Sequence, residues 1–303
     1  MRRKLVQHGY SSLSITLPNK WIKQFSLKKG DEVDVSQHDK DLAISVGEKE
    51  ESQKKTFDVT ESGIFTKNNL NHLYLLGYDE LEIKYDDEKT LQDIKNRVSE
   101  CIGYEIIDQK PNKVYIKSIA TALESDFDLL LRKAFLITSE MGKEVLDAVT
   151  NQDYAKLKEL RHLESINNRF TMCCARILNK KGHPNYKRTM QMYELVKQLE
   201  RICDEYKYMC DLLADSDAKT KISKSTLDFF KKANDYYYTF YKMFYKFEPE
   251  LKKQVYDHRK SLLKEGEELL NKSKGKETVL VYHLMNLITK TYDAAGAYFA
   301  FVL

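Results

Sequence analysis

The chain has 303 residues, 42% hydrophobic and 32% charged, with only 11 Gly and 4 Pro and a net charge of +4. That length is expected to divide into two or three domains, and scarce breakers favour long helices over a turn-rich all-β fold. No stretch reaches the ~18 uninterrupted apolar residues of a membrane span and MRRKLVQHGYSS lacks a signal-peptide core, so no membrane insertion and a cytoplasmic location are expected.

The charge is unevenly spread: +3 over residues 1–46, −4 over 47–118 and +5 over 119–303. Residues 1–30 carry Arg2, Arg3, Lys4, Lys20, Lys23, Lys28 and Lys29 and no acid. A phosphate backbone attracts such a footprint, although charge alone also fits a solubilising tail. Within this stretch KLVQH (4–8) and SLSITL (12–17) read as strands turning at Gly9, the second alternating Leu13, Ile15 and Leu17 with polar residues. Pro18 ends the strand, and NKWIKQF forms one or two helical turns with Trp21, Ile22 and Phe25 inward. After a turn at Gly30, strands are expected at 32–36 and 42–46. Fewer than 50 residues make a marginal core, so this module is expected to need a partner subunit.

Residues 51–118 read as a small α/β unit. Strands are expected at 56–59, 80–85, 104–108 and 114–118, and helices at 67–76 and 90–102, with Gly77 and Gly103 as C-caps. From about 122 the apolar period becomes 3.6 and stays there. Breaks at 150–151, 181–184, 215–219, 248–249 and 272–276 give six helices, about 122–149, 153–180, 185–214, 223–247, 250–272 and 277–302. Short connections imply antiparallel neighbours in two three-helix halves, about 122–214 and 223–303.

Two stretches resemble known families. The strand, Gly turn, strand ending Leu17-Pro18, short helix and Leu27-x-x-Gly30-Asp31-Glu32-Val33 resemble the AbrB-like swapped-hairpin DNA-binding family over about 45 residues. The resemblance implies a homodimer in which two chains exchange hairpins into one barrel that binds DNA. The basic residues at matching positions are Arg2, Arg3, Lys4, Lys20 and Lys23. Tyr10-Ser11-Ser12 stands where many members have an Arg, and Lys or Arg on phosphates supplies affinity without base readout.

On the third of the six helices, Glu200 and Asp204 are spaced i, i+4 in Leu199-Glu-Arg-Ile-Cys-Asp204, which places both carboxylates on one face. A solvated helix face shows the same spacing. That run, together with Glu164-Ser-Ile-Asn-Asn168-Arg169-Phe170 and Arg176 on the preceding helix, resembles the PhoU family over about 180 residues. The resemblance implies two three-helix repeats, a divalent or iron-type metal cation at Glu164, Glu200 and Asp204, with Asp293 in the second repeat, and regulation of phosphate uptake. Asn168 and Thr289 stand where the family has acids. A fused AbrB-like and PhoU-like architecture occurs among archaeal regulators.

Catalytic motifs are absent: no G-x-x-x-x-G-K-[ST], G-x-G-x-x-G, H-E-x-x-H or G-x-S-x-G occurs, and the seven histidines are scattered. Cys101, Cys173, Cys174, Cys203 and Cys210 include no C-x-x-C pair and read as buried thiols. Ten aromatic residues between Phe229 and Phe247 exceed one core-facing stripe, so an exposed remainder would face a subunit or partner. The expected protein is a multidomain α+β, non-enzymatic regulator: an AbrB-like swapped-hairpin barrel (1–48), an α/β connector (51–118) and a PhoU-like helical domain (122–303). The alternative is an adaptor that does not bind DNA and acts by protein–protein contact on a phosphate transporter, its N-terminal domain only dimerising. In either reading the expected partners, besides a second copy of the chain, include a phosphate transporter ATPase subunit or a two-component protein.

Overall fold

The computed structural model describes residues 2–38, 40–46, 53–59, 67–119, 126–216 and 220–302. The chain divides into two compact units, Met1–Glu51 and Ser52–Leu303.

The first unit contains two separate hairpins. Strands β1 (Val6–His8) and β2 (Ser12–Ser14) pair antiparallel around Gly9, whose φ of 72° belongs to the left-handed region. Helix α1 (Asn19–Gln24) starts after Pro18, and β3 (Val33–His38) pairs antiparallel with β4 (Asp41–Val46). In the second hairpin Val33 faces Val46 and Val35 faces Ile44, so one face of the ribbon is apolar and the other carries Asp34, Ser45 and Asp41. The expected strand over 12–17 ends at Ser14. A ladder needs a partner, and none of the described residues supplies one to 15–17. Within a single chain the hairpins form two distinct two-stranded sheets; the expected barrel is one made by two chains. Asp39, between the two strands, lies outside the described residues.

The second unit begins with a four-stranded sheet of β5 (Lys54–Asp58), β6 (Glu80–Lys84), β7 (Tyr104–Lys110) and β8 (Lys113–Ser118) in the order β5-β6-β8-β7. The β5–β6 pair is parallel, which requires the crossover supplied by helix α2 (Lys67–Leu75). Helix α3 (Glu88–Glu100) follows β6, with the Asp87 carboxylate capping the Thr90 amide at 2.6 Å. One sheet face buries Leu81, Ile83, Val114 and Ile116 with Leu70, Tyr74, Leu91 and Ile94 of the helices. The other is polar and pairs its charges across strands, among them Lys84 with Asp58 and Lys113 with Glu82.

Six long helices complete the chain: α4 (Phe127–Thr150), α5 (Lys156–Lys181), α6 (Thr189–Leu213), α7 (Lys224–Tyr245), α8 (Pro249–Lys272) and α9 (Lys276–Val302). The start expected at 122 lies outside the described residues. Pro184 delays α6, which is preceded by a 3-10 turn at Tyr186–Arg188. Their apolar stripes share one core running from Leu130 to Tyr298. Helix α4 packs on α5, α6 and α7, and α9 on α6, α7 and α8. All five cysteines are buried free thiols, and burial raises the pKa of Cys101 and Cys210 to about 12, so these are core groups rather than nucleophiles. No described helix is long and apolar enough to cross a membrane.

Candidate functional site

In the first unit the basic side chains Arg2, Arg3, Lys4, Lys20 and Lys23 are all exposed. The first three precede β1; the last two lie on α1, whose Trp21 and Phe25 rings pack at 5.6 Å. Helix α1 has no acid in its first turn. The first acid, Asp31, is spent on the turn: its carboxylate accepts the Lys28 amide at 2.7 Å. None of the described residues of this unit is buried, and Leu5, Val6, Leu13, Val35 and Leu42 are each more than half exposed. A hairpin pair with bare apolar faces cannot be the final buried state of those residues.

The acidic residues of the helical part are placed differently from a metal centre. Lys207 on α6 reaches Glu164 Oε1 at 2.8 Å and Asp204 Oδ1 at 2.5 Å, so an ammonium already bridges the two carboxylates. Burial opposes that charge, but hydrogen bonds to Asp204 and Glu164 outweigh it and raise the lysine's pKa. Arg97 of α3 adds a second positive charge facing Glu164. Asn168 donates its amide to Glu164 Oε1 at 2.7 Å, acting as a donor where a ligand oxygen is expected. Glu200 pairs with Lys197, and Asp293 is exposed on α9, near Tyr236.

These residues do not fit the metal cation that the PhoU resemblance implies. Among the described residues no three or more His, Cys, Asp or Glu side chains form a group that could hold a metal ion. Asp204 of the i, i+4 pair has Lys207 as its electrostatic partner. Lys207 stands i+3 from Asp204, a helical ion-pair spacing that could have signalled it.

Two further polar clusters escaped the sequence reading. Arg176 on α5 donates to the Tyr74 carbonyl at 2.6 Å and to Asp79 Oδ1 at 2.7 Å, and Lys180 reaches the same oxygen at 2.8 Å. The guanidinium lies over the rings of Tyr74 and Tyr104, 4.9 and 5.3 Å from their centres. Gly77 makes this joint between the sheet layer and α5 possible: with φ 92°, it would place a Cβ only 2.6 Å from Lys180 Cγ. The second cluster is Glu205 on α6, 3% exposed at its side chain, which receives His283 at 2.7 Å and pairs with Lys290, both from α9. Burial would raise this carboxyl, but the His283 and Lys290 hydrogen bonds outweigh it and hold it below its ordinary value.

On the fourth long helix, Phe229, Phe230, Tyr236, Tyr237 and Phe240 are buried, whereas Tyr238 and Tyr245 are exposed, as is Phe247 just beyond its end. Residues 6–53 match the family described as antidote-toxin recognition MazE, bacterial antitoxin. The match covers most of the N-terminal unit, which is thus similar to that family. No curated protein and no solved structure matches the chain.

Proposed function

We propose that this chain is a homodimeric regulator that binds DNA through its MazE/AbrB-like N-terminal unit. The carrying observation is the combination in that unit of exposed apolar hairpin faces with an acid-free basic stretch. Burying those faces calls for a second copy of the unit. Two copies would set Arg2, Arg3, Lys4, Lys20 and Lys23 against one duplex as ten cations. Such contacts hold the phosphate backbone and release counterions, and shape or deformability of the site would add selectivity. An α/β connector (51–118) and a PhoU-like helical part (122–303) would carry the response, with phosphate uptake as the regulated process. That last assignment rests on the residues of the helices alone.

Fluorescence anisotropy with a duplex, titrated against salt, tests the proposal. If all ten cations contact phosphate, the slope of log K against log salt approaches about −9, and Lys20→Ala/Lys23→Ala reduces it by about 4. Absent or salt-insensitive binding overturns the DNA reading. A second reading, an adaptor on a transporter ATPase subunit, draws on exposed Tyr238, Tyr245 and Phe247, since Tyr and Phe are enriched at interfaces. Co-purification of such a subunit in the absence of DNA binding would favour it.

A further inference from the structure

We infer that the outer face of α4 is a contact between two copies of this chain. Leu129, Arg132, Leu136, Glu140 and Lys143 are all exposed on that helix. At the helical repeat they fall within roughly 80° of arc and form one stripe, turned away from Ala134, Met141 and Val145 in the core. A helix covered on one side needs only polar residues on the other. Two exposed leucines seven residues apart instead have the spacing of a helix–helix seam.

Helix α7 extends the face. The exposed Tyr245 ring lies under the Arg132 guanidinium, 5.6 Å from ring centre to Cζ, and Tyr241 packs between Tyr245 and the exposed Tyr238 at 5.3 and 5.7 Å. The ring contact orients the guanidinium and leaves its N–H donors for a carboxylate. Tyr and Arg are the residues enriched where subunits meet.

The order of charges selects the occupant. Arg132 and Glu140 stand four residues to either side of Leu136 and have opposite signs. When Leu136 meets Leu136 of an antiparallel second copy at a two-fold axis, each residue comes level with the one equally far beyond Leu136 in that copy. Arg132 is then level with Glu140 of the partner subunit, and Glu140 with Arg132 of the partner subunit, so one face supplies two ion pairs. Leu129 comes level with Lys143 of the partner subunit, whose methylenes can lie along it. Asp128 comes level with Glu144 of the partner subunit, and within each chain Lys156 already holds Glu144 at 2.7 Å, which limits that repulsion.

Exposed leucines and surface ion pairs make a weak contact by themselves. Copies paired through their N-terminal units would meet at an effective concentration of roughly millimolar, enough to close it. Only this tethering rests on the function proposed above. The helical parts would then add to the stability of the DNA-binding dimer, so a change at α4 or α7 would reach DNA affinity by linkage.

Cysteine cross-linking in the full chain tests the contact. All five native cysteines are buried, so the unmodified chain is the blank. Leu136→Cys under mild oxidation with diamide should form a covalent dimer at least tenfold faster than Lys260→Cys, an exposed position on α8. Adding Arg132→Glu should slow it by about tenfold, since two pairs become two repulsions, and adding Glu140→Arg as well should restore the rate. Equal rates for Leu136→Cys and Lys260→Cys overturn the inference, as does a rate indifferent to Arg132→Glu or a double reversal that fails to recover it. Fluorescence anisotropy with a duplex on the same samples separates the two proposals. Fast cross-linking without DNA binding keeps this contact and removes the proposed function; DNA binding with slow cross-linking removes the contact alone.

Discussion

Replacing Arg176 by Leu tests whether the sheet layer and the helices are locked by one guanidinium. Arg176 is 6% exposed and makes two hydrogen bonds and two ring contacts. Losing its hydrogen bond to Asp79 costs about 1.5–3 kcal/mol, and leaving the Tyr74 carbonyl unpaired costs about 1–3 kcal/mol. The ring contacts add about 0.5–2 kcal/mol. Asp79 keeps Lys180 at 2.8 Å and the Gln53 amide at 3.3 Å, which limits the total. The expected loss is therefore about 3–5 kcal/mol, the range for breaking a buried ion pair, or a fall in Tm of roughly 6–20 °C for a unit of this size. Urea and thermal unfolding followed by circular dichroism would measure it. Asp79→Asn and the double variant close a cycle in which the two effects must be less than additive. A destabilisation below about 1 kcal/mol, or strict additivity, would refute the reasoning.

The buried Glu205 gives a pH-dependent prediction. Its folded pKa lies below the unfolded value near 4.5, so the unfolded state binds more protons as pH falls. The stability it contributes is complete above that unfolded value and is lost as pH falls through the folded one. Glu205→Gln should thus cost about 1.5–3 kcal/mol at pH 7 in chemical unfolding and progressively less below pH 4.5. A pH-independent difference would rule out the ion-pair account. In the N-terminal unit, Val35→Asp places a carboxylate on the apolar face of β3 and β4. The variant should sediment as a monomer, against the dimer expected of the wild type, with DNA binding lost and helical circular dichroism retained. A dimeric, DNA-binding Val35→Asp chain would show that this face is not the subunit contact.

The amino-acid sequence by itself determined the local elements, because a strand or helix is written in spacings of two to four residues. The alternation in 12–17, the 3.6-residue period after 122, and the breaks at Pro18, Pro184 and Pro249 all placed elements to within a few residues. The basic stretch before Asp31 was equally legible, since it is contiguous. Only the tertiary structure decided the contacts made by those elements. Arg176 meets Asp79 from 97 residues away, and His283 meets Glu205 from 78, pairings that no local period encodes. Of the acidic i, i+4 pair, Asp204 joins Glu164 of the neighbouring helix around Lys207, whereas Glu200 pairs with Lys197. The unpaired end of the strand at 15–17 shows the same limit from the other side: alternation dictates an extended chain, while a ladder exists only where a second strand arrives to receive its hydrogen bonds.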